Sequence, residues 1–196
     1  MLKNSLTAVT FAAAVFGSAQ QAEDLLNIPG PVDFGGEELF LAWSKPVSQT
    51  FYKQQYLPAD ENFDNFTKML DFSYFNKEIE LELAVRQKVE QIQHRQETDK
   101  FAKVNVAENP AGNEFVVDYY ISETPETGEP YMEYVIDRFR ATNAPQGSNF
   151  LILSYVTRVY GEPRKIAKAL AKQRDALMIK MIEFPIPEIK FKQINN

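Results

Sequence analysis

The sequence predicts an α+β fold: an antiparallel sheet, built as a hairpin plus a meander, packed by two long helices. Three observations carry this expectation. Short segments alternate apolar and polar residues along much of the chain, as half-buried strands do. In the second half such segments follow one another through brief connections rich in Gly, Pro and Asn. Two longer stretches instead space their apolar residues at helical intervals. An aromatic share of 13%, with 15 Phe and 9 Tyr, suits a sheet with a well-filled face.

The N-terminus "MLKNSLTAVTFAAAVFGSAQQAED" opens with Lys3, continues through an apolar run around Phe11 to Phe16, and closes on small residues. Gly17 and Ala19 match the small positions of a signal-peptidase site, so residues 1–19 are expected to be a cleaved leader, with Ala22 as a second cleavage position. The run is too short to cross a bilayer, and no later segment approaches about 20 apolar residues. Residues 20–37 hold Pro29, Pro31 and three glycines without a sustained period, and are expected as an N-terminal linker. A single domain is then expected over 38–196.

Within it, "ELFLAWS" (38–44) and "SQTFYKQQYL" (48–57) are expected as a hairpin turning at Lys45-Pro46-Val47. Asp60 to Lys68 is expected as a short helix, and "MLDFSYF" (69–75) as another strand. Residues 79–97 carry Leu81, Val85, Val89 and Ile92 at helical spacing, with abundant Glu, Gln, Lys and Arg, and are expected as a long helix. Strands are expected at 101–108, 114–122, 131–141 and 149–160, paired as an antiparallel meander because "NPAGN", "TPETGEP" and "TNAPQGS" are short. The last helix begins near Pro163, a residue tolerated in a first turn. It carries Ile166, Leu170, Leu177, Met178, Met181 and Ile182 as its apolar stripe, and Pro185 and Pro187 end it.

Composition narrows the function classes. A net charge of −6 gives no general attraction to nucleic acid or anionic lipid. With no Cys, disulfides and thiol catalysis are excluded. The only histidine, His94, lies in the polar "QIQHRQ", so a histidine-pair metal site has no residues to form it, and a solvated role is expected for this one. No glycine-rich phosphate loop is present, and no cofactor is expected.

Asp60, Asn62 and Asp64 alternate like the first oxygen ligands of a calcium loop. The sixth and twelfth positions, Asn65 and Asp71, depart from the Gly and Glu such a loop needs, and Lys68 would place a cation beside the ion. Helix capping by Asp60 or Asn62 is the preferred reading. The terminal helix carries Arg164, Lys165, Lys168, Lys172, Arg174 and Lys180, expected as its solvated side or a docking face. Ionised residues inside strands are unusual: Asp118, Arg138, Arg140 and Arg158, with Tyr119, Tyr134 and Tyr155, lie on strands that neighbour one another in a meander. They are expected either as salt bridges on an exposed face or as a polar face binding a ligand or partner, with Asp118, Tyr134, Arg138, Arg140 and Arg158 as its candidate residues. Trp43 is expected in the core.

The stretches "QQYLPADENFDNFTKML", "YMEYVIDRFRA" and "YVTRVYGEPRKIAKALAKQRDALMIKMIEFPIPEI" resemble a family of exported bacterial proteins without assigned activity, and the element order resembles the PsbP-like α+β group. The resemblance implies a small non-enzymatic envelope domain, since proteins of that group mostly act as binding or assembly subunits. The expectation is therefore a periplasmic or secreted, non-catalytic binding or accessory domain that meets an envelope protein or a small ligand. The alternatives are a carboxylate- or divalent-metal-dependent enzyme and a peripheral membrane protein.

Overall fold

The computed structural model describes residues 22–144 and 147–190. The expected leader, residues 1–19, lies outside them. Alternating apolar residues build one antiparallel sheet from β1 (Val32–Asp33), β2 (Glu38–Ser48), β3 (Phe51–Leu57), β4 (Lys68–Phe75), β5 (Lys103–Glu108), β6 (Glu114–Glu123), β7 (Tyr131–Ala144) and β8 (Gly147–Tyr160). Its order is β1-β2-β3-β4-β8-β7-β6-β5, so two meanders meet where β4 pairs with β8. Helix α1 (Leu81–Arg95) crosses from β4 to the far edge strand β5, and α2 (Pro163–Glu183) follows β8.

Strand alternation sends the two helices to opposite faces. Leu81, Val85, Val89 and Ile92 of α1 pack with Val117, Tyr119 and Val135 on one face. On the other, Leu170, Leu177 and Met181 of α2 pack with Tyr120, Tyr134 and Ile136. Ile182, expected in that stripe, points to solvent. Arg174 takes the inward position between Leu170 and Leu177 instead, because a buried carboxylate awaits it there.

The stretch expected as a linker is part of the core. Leu25, Leu26, Ile28, Val32 and Phe34 are buried on the α2 side of β2–β4, where Phe34 stacks on Tyr155 at 4.2 Å. Gln54 organises this contact: its Oε1 accepts the Leu25 and Leu26 amides, and its Nε2 donates to the Tyr56 hydroxyl at 2.7 Å. Tyr56 donates in turn to the Ile28 carbonyl at 2.7 Å. Burying irregular backbone demands such partners, and this segment has them.

Two local expectations are corrected. The first hairpin turns at Gln49–Thr50, not at Lys45–Val47; Pro46 stays inside β2 beside a register shift. Strand β2 is an edge there, and an edge tolerates the missing N–H. Residues 60–67 form turns rather than a helix and Lys68 already opens β4, so Asp60 and Asn62 cap no helix. Glu61 shapes this loop, its carboxylate accepting the Thr67 amide at 2.6 Å and the Thr67 hydroxyl at 2.5 Å. Phe66 is buried while Phe63 is exposed, an arrangement a helix with both on one face would not allow.

Candidate functional site

The charged strand residues do not share one face. Asp118, Tyr134, Arg138 and Arg140 lie on the α2 side, whereas Arg158 pairs across from Glu133 on the α1 side. The polar face expected around Arg138 and Arg158 is thereby divided, since strand register puts the two arginines on opposite sides of the sheet.

Each of these residues also has an internal partner. Asp118, 1% exposed, receives Arg174 Nε on Oδ2 and Arg174 NH2 on Oδ1, both at 2.8 Å. Asn105 and Tyr134 donate to the same carboxylate at 3.2 and 3.3 Å. The hydrogen bond to Asp118 holds the Arg174 pKa well above its ordinary value, and burial, with Asp118 beside it, does the same to the Tyr134 hydroxyl. Arg138 grips Glu114 through Nε at 2.8 Å and NH2 at 2.7 Å, and Arg140 Nε lies 3.3 Å from the same carboxylate. Arg138 NH1 then donates to the carbonyls of Met181, Ile182 and Phe184 at 3.0–3.3 Å. These are the unsatisfied carbonyls at the end of α2, where a cation also meets the negative end of the helix. Arg138 and Arg174 thus fasten α2 to the sheet.

On the α1 side, Arg158 bonds Glu133 through Nε at 2.8 Å and NH2 at 2.7 Å. Its guanidinium lies 3.8 Å from the Phe66 ring centre and 4.1 Å from that of Tyr131, between two aromatic faces. Tyr160 donates to the Phe66 carbonyl at 3.2 Å, so this cluster closes the 58–67 loop onto β8. Inside the loop, Asn62 Oδ1 accepts the Asp64 amide at 2.9 Å. The alternating Asp60, Asn62 and Asp64 are turn residues here. Among the described residues no group of three or more His, Asp or Glu could hold a metal ion. Nor, among them, is any helix long and apolar enough to cross a membrane.

The sequence reading missed a polar row on the α1 side. Register places Trp43, Gln55, Asp71, Ser154 and Asp137 side by side across β2, β3, β4, β8 and β7. Asp71 is 4% exposed and Asp137 2%. Asp71 Oδ2 takes Lys53 Nζ at 3.0 Å and Gln55 Nε2 at 2.8 Å, and its Oδ1 takes the Ser73 hydroxyl at 2.9 Å. Lys88 of α1 lies 3.2 Å from Asp137 Oδ2, an oxygen with no hydrogen bond of good geometry among the described residues. Two strand spacings set the aspartates roughly 9–10 Å apart, with Ser154 between. Burial raises the Asp71 pKa against the pull of Lys53, and burial followed by the Asp137 charge raises that of the Tyr119 hydroxyl.

Helix α1 packs over β5, β6 and β7, so that among the described residues no helix lies above this face of β3 and β4. Half-buried Trp43, Gln55, Lys53, Met69 and Ser154 present themselves there, with Phe51 stacked on Phe75 at 4.3 Å alongside. The legible signal was an acid inside an otherwise apolar strand, "MLDFSYF" and "YVIDRF". Such an acid needs a buried partner, but its identity depends on register.

A protein-family model matches residues 26–186, and the chain belongs to that family. The match begins within the N-terminal segment that packs on the sheet, consistent with that segment being part of the domain. No curated protein and no solved structure matches the chain.

Proposed function

We propose that this chain is an exported, non-catalytic binding or accessory domain that takes a neutral, hydroxyl-rich ligand, such as a saccharide chain of the cell envelope. The ligand would lie on the α1-side face of β2, β3, β4 and β8. The observation that carries the reading is the charge-balanced row itself: it runs from Asp137 with Lys88, at the edge of α1, to Asp71 with Lys53, on the part of the sheet that no helix covers among the described residues. Balanced pairs offer no net charge to an ion. They leave spare ammonium donors, the Gln55 carbonyl and the Ser154 hydroxyl to pair with hydroxyl groups. The Trp43 ring beside them suits the apolar face of a sugar. Export rests on the leader-like residues 1–19, and an accessory role on the PsbP-like element order.

A carboxylate enzyme would draw on the same aspartates, and the raised pKa of Asp71 favours an acid there. Against it, both carboxyl groups are almost fully buried and held by lysines, which removes them from a substrate's reach. Binding is the reading the geometry supports better.

Calorimetric titration of residues 20–196 with chitohexaose and cellohexaose tests it. Saturable heat is expected with at least one, weakened roughly tenfold by Trp43→Ala or Gln55→Ala in variants that still unfold cooperatively well above the titration temperature. Absence of heat with both, or full affinity in both variants, would reject the site.

A further inference from the structure

A separate cleft of about 750 Å³ opens at one end of the molecule, between the C-terminal end of α1, the end of β6 and the start of α2. Its volume falls within the range of small-molecule sites. Its floor is a network of hydrogen bonds and ion pairs. Asp99 accepts the Phe101 amide at 2.9 Å, the Ser122 hydroxyl at 2.7 Å and the Ser122 amide at 2.5 Å. Arg95 donates to the Ser122 carbonyl at 2.6 Å and pairs with Glu123 at 2.8 Å, its Nε lying 3.6 Å from Asp99. Glu162 pairs with Lys165 at 3.1 Å. Each carboxylate of the cleft therefore has a cation beside it, with Arg95 shared between Asp99 and Glu123.

The cations of the cleft do not all have carboxylates. Among the described residues neither Lys100 nor Arg164 is ion-paired, and both are exposed at the cleft. Lys100 Nζ sits 5.4 Å from the ring centre of half-buried Phe101, and the Thr124 hydroxyl is exposed nearby. Four cations, Arg95, Lys100, Arg164 and Lys165, therefore stand against the three carboxylates Asp99, Glu123 and Glu162, and this net positive charge, with Lys100 beside an apolar ring, makes a local anion site on a protein of net charge −6.

We propose that this cleft binds a small organic anion, a phosphate ester or a carboxylate, with its anionic group between Lys100 and Arg164 and its apolar body on Phe101. The site shares no residue with the polar row on the sheet, and its success or failure is independent of the saccharide reading.

Amide chemical-shift titration of residues 20–196 tests the proposal with phenyl phosphate, benzoate, inorganic phosphate and phenol as probes. Saturable shifts are expected at residues 98–101, 122–124 and 164 with phenyl phosphate or benzoate, and which binds tighter tells phosphate from carboxylate. Inorganic phosphate should bind more weakly for want of the ring contact, and phenol more weakly for want of charge. Lys100→Ala/Arg164→Ala alters only exposed side chains, so its melting temperature should stay unchanged while affinity falls roughly tenfold or more. The proposal is overturned if no saturable shift occurs at the cleft, if the double variant binds as well as the parent, or if phenol binds as tightly as phenyl phosphate.

Discussion

Replacing Arg174 with alanine should loosen the terminal helix from the sheet. The change deletes two charge-assisted hydrogen bonds of 2.8 Å and leaves Asp118, 1% exposed, with Asn105 and Tyr134 as its side-chain donors among the described residues. Breaking a buried pair costs about 3–5 kcal/mol because one charge stays behind without a counter-charge. The Arg174 side chain is 35% exposed, so water can enter the vacated space, and the lower end, about 3 kcal/mol, is expected. For a domain of this size that is a drop of roughly 6–12 °C in melting temperature. Urea and thermal unfolding of Arg174→Ala, Asp118→Asn and the double variant form a cycle. The double variant should recover part of the loss, since a neutral amide tolerates burial better than an unpaired carboxylate, giving a coupling of about 1–3 kcal/mol. A loss below about 1 kcal/mol for Arg174→Ala, or a coupling under about 0.5 kcal/mol, would refute the claim that this pair fastens α2.

Arg158→Lys keeps the charge but loses the flat guanidinium between Phe66 and Tyr131 and the two-nitrogen grip on Glu133; a loss of about 1–2 kcal/mol in urea unfolding is expected, with faster amide exchange across residues 58–67. Burial disfavours the Asp99 charge, yet the hydrogen bonds from Ser122 and Phe101, with Arg95 nearby, hold its pKa below the usual carboxylate value. A lowered folded pKa contributes stability that is present above the unfolded value, about 3.9, and is lost as pH falls through the folded value. Asp99→Asn should therefore be less stable than the parent at pH 6, with the difference narrowing in acid; a gap that stays constant down to pH 2 would contradict this account. Glu61→Gln should release the loop before β4 at a cost of about 1–2 kcal/mol, measured by thermal unfolding, because the charged acceptor of the Thr67 amide and hydroxyl is lost.

Much of the fold was legible in periodicity. The strands from Lys103 to Tyr160 alternate over enough residues, with connections short enough, that antiparallel pairing of neighbours was the expected outcome. The spacing of Leu81, Val85, Val89 and Ile92 likewise marked α1. Local chemistry misled where tertiary contacts decide. Pro46 looked like a turn, but an edge strand has no need of its N–H there. The acidic start of "DENFDNFTK" looked like a helix mouth, but Glu61 holds the Thr67 backbone and hydroxyl in a turn. Residues 20–37 looked like a linker because their apolar residues have no period; Leu25, Leu26, Ile28 and Phe34 are instead buried individually against Gln54, Tyr56 and Tyr155, not as a regular element.

The site was less legible, for a different reason. A charge inside an apolar strand is visible in sequence, but its face and partner depend on register with strands far away. Asp118 finds Arg174 across 56 residues, and Arg138 finds the end of α2. Arg174 itself falls in the buried stripe between Leu170 and Leu177, a position that sets it apart from Lys168 and Lys172, which face solvent. Asp71 and Asp137, which form the polar row, are on strands that are not neighbours in sequence or in the sheet; β8 joins them.

The account rests most on the uncovered sheet face, and the single tryptophan of the chain sits on it. Trp43 fluorescence during titration of residues 20–196 with chitohexaose or cellohexaose reads that face directly. A saturable change in intensity, with the emission maximum moving to shorter wavelength as the ring is covered, is the predicted result. Calorimetric binding of the same sugar with no change in Trp43 emission would contradict the account, because the ligand would then lie elsewhere on the molecule.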